Sequence, residues 1–556
     1  MHPETLTQRI AIMGESADSD RPPVSSHLPD IVETPITNSN PYYDFNDILE
    51  PAIKKYAAAF GGGGPGEPTD TEKSARHLHF ILTTKRQLST DWDHTIVDSK
   101  PIFDDDIKIT AREGYLPIEL ENIDLLCLLA LTGTAVNIET GKGANAWRWA
   151  MYIQERLDLI ATKLGNKRHD KLGSPFHNRL LTLHDNQPVV FTYTSSNGAR
   201  SIDLLSNQII IDKPIPLTAW ERLQKHGDLL RDSTLPQQLE RIQKRRNHFG
   251  SVTLDSPVMT PRVKYDETKD HYALDRVKGI QVPVTNQVSP DNYEPIIRYQ
   301  DLTREVDQQL SEPELNHRMQ LQADIRDFAV FIAGESTKAN LVLDIQKIKN
   351  DPTLNSRWEQ TTGIHITDNA TLYHAVQALF RDTGVKIFQA HAQGITYFDI
   401  GAIDKQNSSR KVKNYTQGLL RCWMREIHGI EDESVAPEIP KFFTTSLGDA
   451  PPTTENEFTN DAPMISHTGG VNVGPFDDTQ IKKRNGWPMN LNALCPQAKN
   501  IQLTHWYLMQ LLVGSVQEQY LSKTVDAFIA ILASLRQERR TALKETSVIG
   551  KTSSVQ

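Results

Sequence analysis

The sequence predicts a mainly α fold with small β elements (α+β), divided among several domains. Three observations lead there. Segments with clear hydrophobic periodicity repeat mostly at helical spacing, as Trp147, Ala150, Met151, Leu157, Ile160, Ala161 and Leu164 do between Asn145 and Gly165. Segments with strand texture are short and bounded by turn pairs such as Asn197-Gly198. Finally, 556 residues exceed what one hydrophobic core normally serves.

Residues 1–45 carry six prolines among Ser, Asp and Asn with no periodicity, and read as a polar N-terminal arm. A mainly helical domain is expected over 46–250. Its first helix starts at Asn46 and is stopped by the GGGGPGEP segment, whose prolines prevent resumption. Within this domain the β-branched and aromatic run PVVFTYTSSNGARSIDLLSNQIIID, residues 188–212, predicts two or three strands. A short helix from Thr218 and a second through Leu235 to His248 are expected to follow.

Residues 251–300, rich in Pro, Val and Tyr, read as an irregular or strand-bearing excursion. A helical domain is expected over 301–430. Ser311 and Glu314 have capping-box spacing, and Leu315, Met319, Ile325, Phe328, Ala329 and Ile332 continue one apolar stripe to Gly334. A helix over Thr371 to Phe380 precedes a hairpin near 385–400 that turns at Gln393-Gly394, and a helix from Tyr415 to His428 closes the region. Residues 431–480 read as an acidic, proline-rich linker or loop, and 481–556 as a C-terminal helical region and tail.

Charge is segregated along the chain. Met1 to Asp70 holds eleven acidic against four basic residues, and Glu431 to Gln480 holds ten against one, so the rest sums to +6 although the whole chain is -10. Such a division suits surfaces that meet other chains or a polyanion. Cys127, Cys422 and Cys495 are too few and too scattered for a disulfide framework, which fits a reducing compartment. The N-terminal stretch has no apolar core of signal-peptide length, and the apolar run Leu125 to Leu131 is too short to span a bilayer, so no membrane partner is expected.

Catalytic patterns are sparse. Gly133 to Asn145 resembles a phosphate loop only loosely, because Gly143 follows Lys142 where a hydroxyl would hold magnesium. Gly334-Glu335-Ser336-Thr337-Lys338 departs from a nucleophile elbow at its last position. His77 and His79 lack further ligands at metal spacing; Asp104, Asp105 and Asp106 read as a solvated loop, and Glu119 and Glu121 as common paired acids. No catalytic residue, metal ligand or cofactor is therefore assigned.

The candidate binding residues are cations: Arg241, Lys244, Arg245 and Arg246 beside Arg222 and Lys225 in one set, and Arg421, Arg425, Lys482, Lys483 and Arg484 in another. Convergent, they would neutralise several phosphates. Together with the polar arm and proline-rich excursions, these features point to a self-assembling viral coat or nucleocapsid subunit rather than an enzyme. Its partners would be further copies of itself and viral RNA, more in keeping with a shell around duplex RNA, in a virion or the host cytoplasm. The alternatives are a nucleic-acid processing enzyme with a site built from distant acids, and a cytosolic adaptor acting through 431–480.

Overall fold

A computed structural model describes residues 87–97, 117–141, 147–234, 312–330, 337–428, 444–482 and 489–519 with short breaks, three strands within 263–283, and Ile531, Ser534 and Leu535. The expected arm, the helix from Asn46, the His77 pair, Asp104 to Asp106, the helix through His248 and Cys495 lie outside the described residues.

The fold class departs from expectation. In place of a mainly helical body, the chain builds an α/β core on one eight-stranded sheet. In chain order its elements begin with β1 (Gln87–Asp91), α1 (Pro117–Leu131), β2 (Ala135–Glu139), α2 (Trp147–Leu164), β3 (Phe191–Ser195), β4 (Arg200–Asp203) and β5 (Ile209–Asp212). A second lobe follows with α3 (Leu217–Lys225), α4 (Gly227–Ser233), β6 (Val263–Asp266), β7 (His271–Leu274), β8 (Gln281–Pro283), α5 (Glu312–Ile325), β9 (Ala329–Val330), β10 (Lys338–Leu343), α6 (Ile345–Asn350), α7 (Pro352–Thr362), α8 (Asn369–Leu379), β11 (Lys386–Ala392) and β12 (Ile395–Gly401). The chain then returns to the first sheet through α9 (Lys405–His428), β13 (Thr444–Gly448), α10 (Ala462–Thr468), β14 (Val471–Asn472), β15 (Met489–Asn490), α11 (Leu491–Leu494) and α12 (Asn500–Gln519).

The large sheet runs β15-β14-β13-β1-β2-β3-β4-β5. Its first six strands are parallel, β4 runs antiparallel to β3, and β5 reverses again beside β4. From β1 the chain crosses to β2 on one side, whereas from β13 it crosses to β14 on the other. The crevice at the carboxyl ends of β1 and β13 is thus the topological switch point, where open α/β sheets bind their ligands.

α1 explains why periodicity failed here. Leu125, Leu126, Leu128, Leu129 and Leu131 are all fully buried, so the helix is apolar nearly all round and lacks the polar face that marks a surface helix. Its polar residues are paired inside: Arg156 grips Asp124 through Nε at 2.8 Å and Nη2 at 3.1 Å. Glu119 and Glu121, read as ordinary paired acids, are buried in the same helix. α1 packs between α2 and α12, while α9 and α10 contact strands of the sheet and each other.

The second lobe has its own four-stranded antiparallel sheet, β11-β12-β10-β9, and its own core around Trp220, Phe328, Trp358 and Phe398. Ala329, expected to continue a helical stripe, lies instead in β9, paired with Leu341 of β10. Gly227 faces the Phe328 ring, and such tertiary packing overrides local propensity. Within 251–300 the described strands are β6, β7 and β8, which form a three-stranded antiparallel sheet.

Candidate active site

β1 carries QLSTD into the crevice, so Asp91 is its last residue and Asp93 follows two positions on. Between them Trp92 is fully buried and meets the Tyr193 ring edge-on at 6.1 Å between centroids. This anchor fixes the chain where it leaves the sheet. A tight turn follows, with Ile96 N donating to Trp92 O at 3.0 Å and His94 N to Val97 O at 2.8 Å. His94 takes φ +57 to close it.

Four further strand ends or helix starts converge on Asp91 and Asp93. Thr140, directly after β2, donates its hydroxyl to Asp93 Oδ2 at 3.2 Å. Lys405, the first residue of α9, is fully buried; its Nζ bonds Asp91 Oδ1 and, at 2.6 Å, Asp461 Oδ1. Asp449 follows β13 and accepts from Thr95 Oγ1 at 3.4 Å, and Asp461 Oδ2 accepts from Ala450 N at 3.3 Å. One carboxylate oxygen from each of Asp91, Asp449 and Asp461 lies within 4.8 Å of the others.

Small residues allow this convergence. A Cβ on Gly448 would fall 2.8 Å from Asp461 Oδ2 and 2.9 Å from Ile465 Cδ1, and one on Gly474 would fall 1.8 Å from Asp449 O. The loops bearing both carboxylates therefore lie closer than a side chain permits.

Crowding carboxylates out of water raises the proton affinity of Asp91 and Asp449. Burial, with Asp461 adding repulsion and Lys405 opposing, holds Asp91 well above the usual carboxylate range. Burial and Asp461 push Asp449 up to about 7. Burial alone would lower Lys405, but Asp461 and Asp91 outweigh it and keep the ammonium charged. Glu139, at the end of β2, is pushed up to about 8 by burial, against hydrogen bonds from Ser408 Oγ at 2.6 Å and Asn137 Nδ2 at 2.8 Å.

Around one ammonium, the three carboxyls offer only oxygen donors. That donor set fits a hard divalent cation such as Mg²⁺, held by Asp91, Asp449 and Asp461.

The second lobe closes over this edge. Asn197, at φ +55, donates from Nδ2 to Asp399 Oδ2 at 2.8 Å, and Lys338 Nζ meets the same oxygen at 2.8 Å. Lys338 also donates to Gly141 O, and Asn340 Nδ2 to Asp399 Oδ1. Gly141 adjoins Thr140, so this polar cluster sits one residue from a group bonded to Asp93.

The cations singled out in the sequence lie elsewhere. Arg241, Lys244, Arg245, Arg246, Lys483 and Arg484 are outside the described residues. Arg421 and Arg425 stand on α9 sixteen and twenty residues beyond Lys405, about 24 and 30 Å along the axis. Lys482 pairs with Glu457. The residues that do converge were missed. Asp91 and Asp93 had a local signal in QLSTDWD, two carboxylates two residues apart after a Thr- and Leu-bearing run, whereas Asp449 and Asp461 were hidden in a stretch read as acidic linker.

No family model matches the chain, and no curated protein matches it. Solved structures do. A haloacid dehalogenase-like hydrolase from Bacteroides thetaiotaomicron is 12% identical over 70% of this chain and 88% of its own, with a TM-score of 0.26. An N-terminally truncated IMP-nucleotidase from Plasmodium falciparum is 11% identical over 84% of this chain and 82% of its own, with a TM-score of 0.26. A subclass IIB sugar phosphatase of the haloacid dehalogenase superfamily is 11% identical over 70% and 87%, with a TM-score of 0.23. Overlap this slight defines no family, and the chemistry has to be argued from the site.

The coat-protein expectation does not survive. The described acidic stretch is no linker or adaptor segment: it supplies β13 and two of the three clustered carboxylates. Buried like charges at a switch point are costly for a shell subunit and characteristic of a reaction centre.

Proposed function

We propose that the chain is a divalent-cation-dependent phosphoryl-transfer hydrolase acting on phosphomonoesters, with Asp91 as nucleophile. The observation that carries this reading is the placement of Asp91 at the carboxyl end of β1, held by Lys405 beside Asp449 and Asp461, with Asp93 two residues on.

A carboxylate can take a phosphoryl group and lose it again to water, splitting one difficult substitution into two. An Asp91 carboxylate oxygen attacks phosphorus, the P–O bond to the leaving group breaks, and Asp93 in its acid form protonates the departing oxygen. Asp93 then takes a proton from water, the hydroxide oxygen attacks phosphorus, and the Asp91–phosphorus bond breaks to release inorganic phosphate. Thr140 orients Asp93 through their hydrogen bond, and Lys405 holds Asp91 in line. A bound divalent cation would offset charge between the carboxylates and the phosphoryl oxygens. The leaving group lies toward the second lobe, where Lys338, Asn340 and Asp399 offer donors and acceptors to a polar organic moiety.

The test is phosphate release from a panel of phosphomonoesters with Mg²⁺, comparing the unaltered chain with Asp91→Asn. Asn is isosteric but a far weaker nucleophile, so turnover should fall by more than about 10³-fold. Full activity in the variant, or no hydrolysis of any ester by the unaltered chain with Mg²⁺, sinks the assignment.

A further inference from the structure

The segment joining Asp449 to Asp461 is more than a connection. It leaves the first lobe, lies along the second, and returns with a site carboxylate. Its outward limb docks on β11, the edge strand of the smaller sheet. Gln389 N of β11 donates to Phe458 O at 2.9 Å, and Asn456 Nδ2 donates to Gln389 O at 3.3 Å. The Phe458 ring stacks on Tyr373 of α8, 3.9 Å between centroids and 10° between planes. Tyr373 is itself fixed, since its hydroxyl donates to Ile387 O at 3.2 Å.

The return limb is short and tightly tied. Thr459 Oγ1 donates to Ala450 O at 2.7 Å and accepts from Ala462 N at 3.2 Å, so the residues flanking Asp461 are stapled to the residue after Asp449. Ala450 N in turn donates to Asp461 Oδ2. Only Thr459 and Asn460 separate Phe458 from Asp461. Beside the strap a cavity of about 590 Å³, lined by Phe458, Thr459, Phe388, Arg381 and Lys386, leaves one flank without packing. On the second lobe the strap is seated by the aromatic stack and two backbone-directed hydrogen bonds, while nearer its start Thr454 N donates to Gln480 O and Lys482 N to Pro452 O, each at 2.9 Å.

We propose that Phe458 is a positioning residue that couples the seat of the second lobe to the placement of Asp461, and hence to cation binding. The inference rests on the reading of Asp91, Asp449 and Asp461 as a cation site. By linkage, whatever settles the second lobe tightens the cation, and the cation settles the lobe.

The experiment is calorimetric Mg²⁺ titration of the full chain and of Phe458→Ala, Phe458→Tyr and Asn456→Ala, with kcat and KM for an ester that the unaltered chain hydrolyses. Residues that orient metal ligands typically carry about 10- to 100-fold in affinity, so Phe458→Ala should weaken Mg²⁺ by about tenfold and lower kcat more than KM. Phe458→Tyr keeps the stack and should recover both. Asn456→Ala, which removes the side-chain hydrogen bonds to Gln389 O and from Phe458 N but keeps the ring pair, should give a smaller loss in the same direction and serves if Phe458→Ala does not fold. Unchanged Mg²⁺ affinity in Phe458→Ala, or no recovery in Phe458→Tyr, overturns the coupling alone. Absence of Mg²⁺ binding by the unaltered chain overturns the cation site and this inference with it.

Discussion

At the scale of single residues, Glu139 offers a test of the polar environment beneath the site. Its folded proton affinity corresponds to about 8, against about 4.5 when exposed, because burial disfavours the charged form. Below pH 4.5 the carboxyl is protonated in both states and its contribution to stability is fully present. Between pH 4.5 and 8 the unfolded chain gains by ionising while the folded one does not, so stability falls as pH rises through this window. Glu139→Gln should flatten that fall, seen as a difference between the two melting temperatures that narrows or reverses from pH 5 to 8. A constant difference across the window would show that Glu139 ionises normally. The residue scale is also where the sequence hid most. Asp91 and Asp93 stand in a recognisable spacing, but the groups gathered around Asp91, namely Lys405, Asp449 and Asp461, lie more than 300 positions away, and nothing local marks Lys405 among the other lysines as one buried between carboxylates.

Elements differ in how far their sequence betrays them. α2 is legible because one face is buried and the other solvated, which writes the helical period into the residue order. The strands β3, β4 and β5 are legible from β-branched residues and turn pairs. β1 and β13 are not. QLSTD and TTSLG are five residues long, fully buried and rich in Ser and Thr, because their small polar side chains pair within the interior, as Ser89 does with Ser409 at 2.7 Å. Averaging charge over 431–480 concealed β13 altogether. The close approach at its end leaves no room for a side chain on Gly448. Gly448→Ala presses a methyl group against Asp461 and Ile465; overpacking of this kind costs about 1–3 kcal/mol. Chemical denaturation should show that loss, accompanied by weaker Mg²⁺ binding; normal stability and affinity would mean that the loop yields freely.

Across the whole molecule, the two lobes divide the proposed labour: the large sheet holds the reacting groups and the second lobe covers the crevice. Asp399 is the joint of that cover, accepting from Asn197, Lys338 and Asn340. Asp399→Asn should raise KM for bulky polar esters while leaving a small aryl phosphate nearly unaffected, and an equal effect on both would place the cluster outside substrate recognition. The architecture also dictates an order of events during synthesis. Gln87 of β1 pairs with Thr444 of β13, so the middle of the large sheet is completed only after the second lobe and α9 have emerged. Until then β1 presents an unpaired edge, and contacts of such long range form slowly. A ribosome-bound chain ending near residue 428 would thus carry a sticky, half-built sheet beside a finished lobe, and its survival in a crowded cell depends on shelter until β13 arrives.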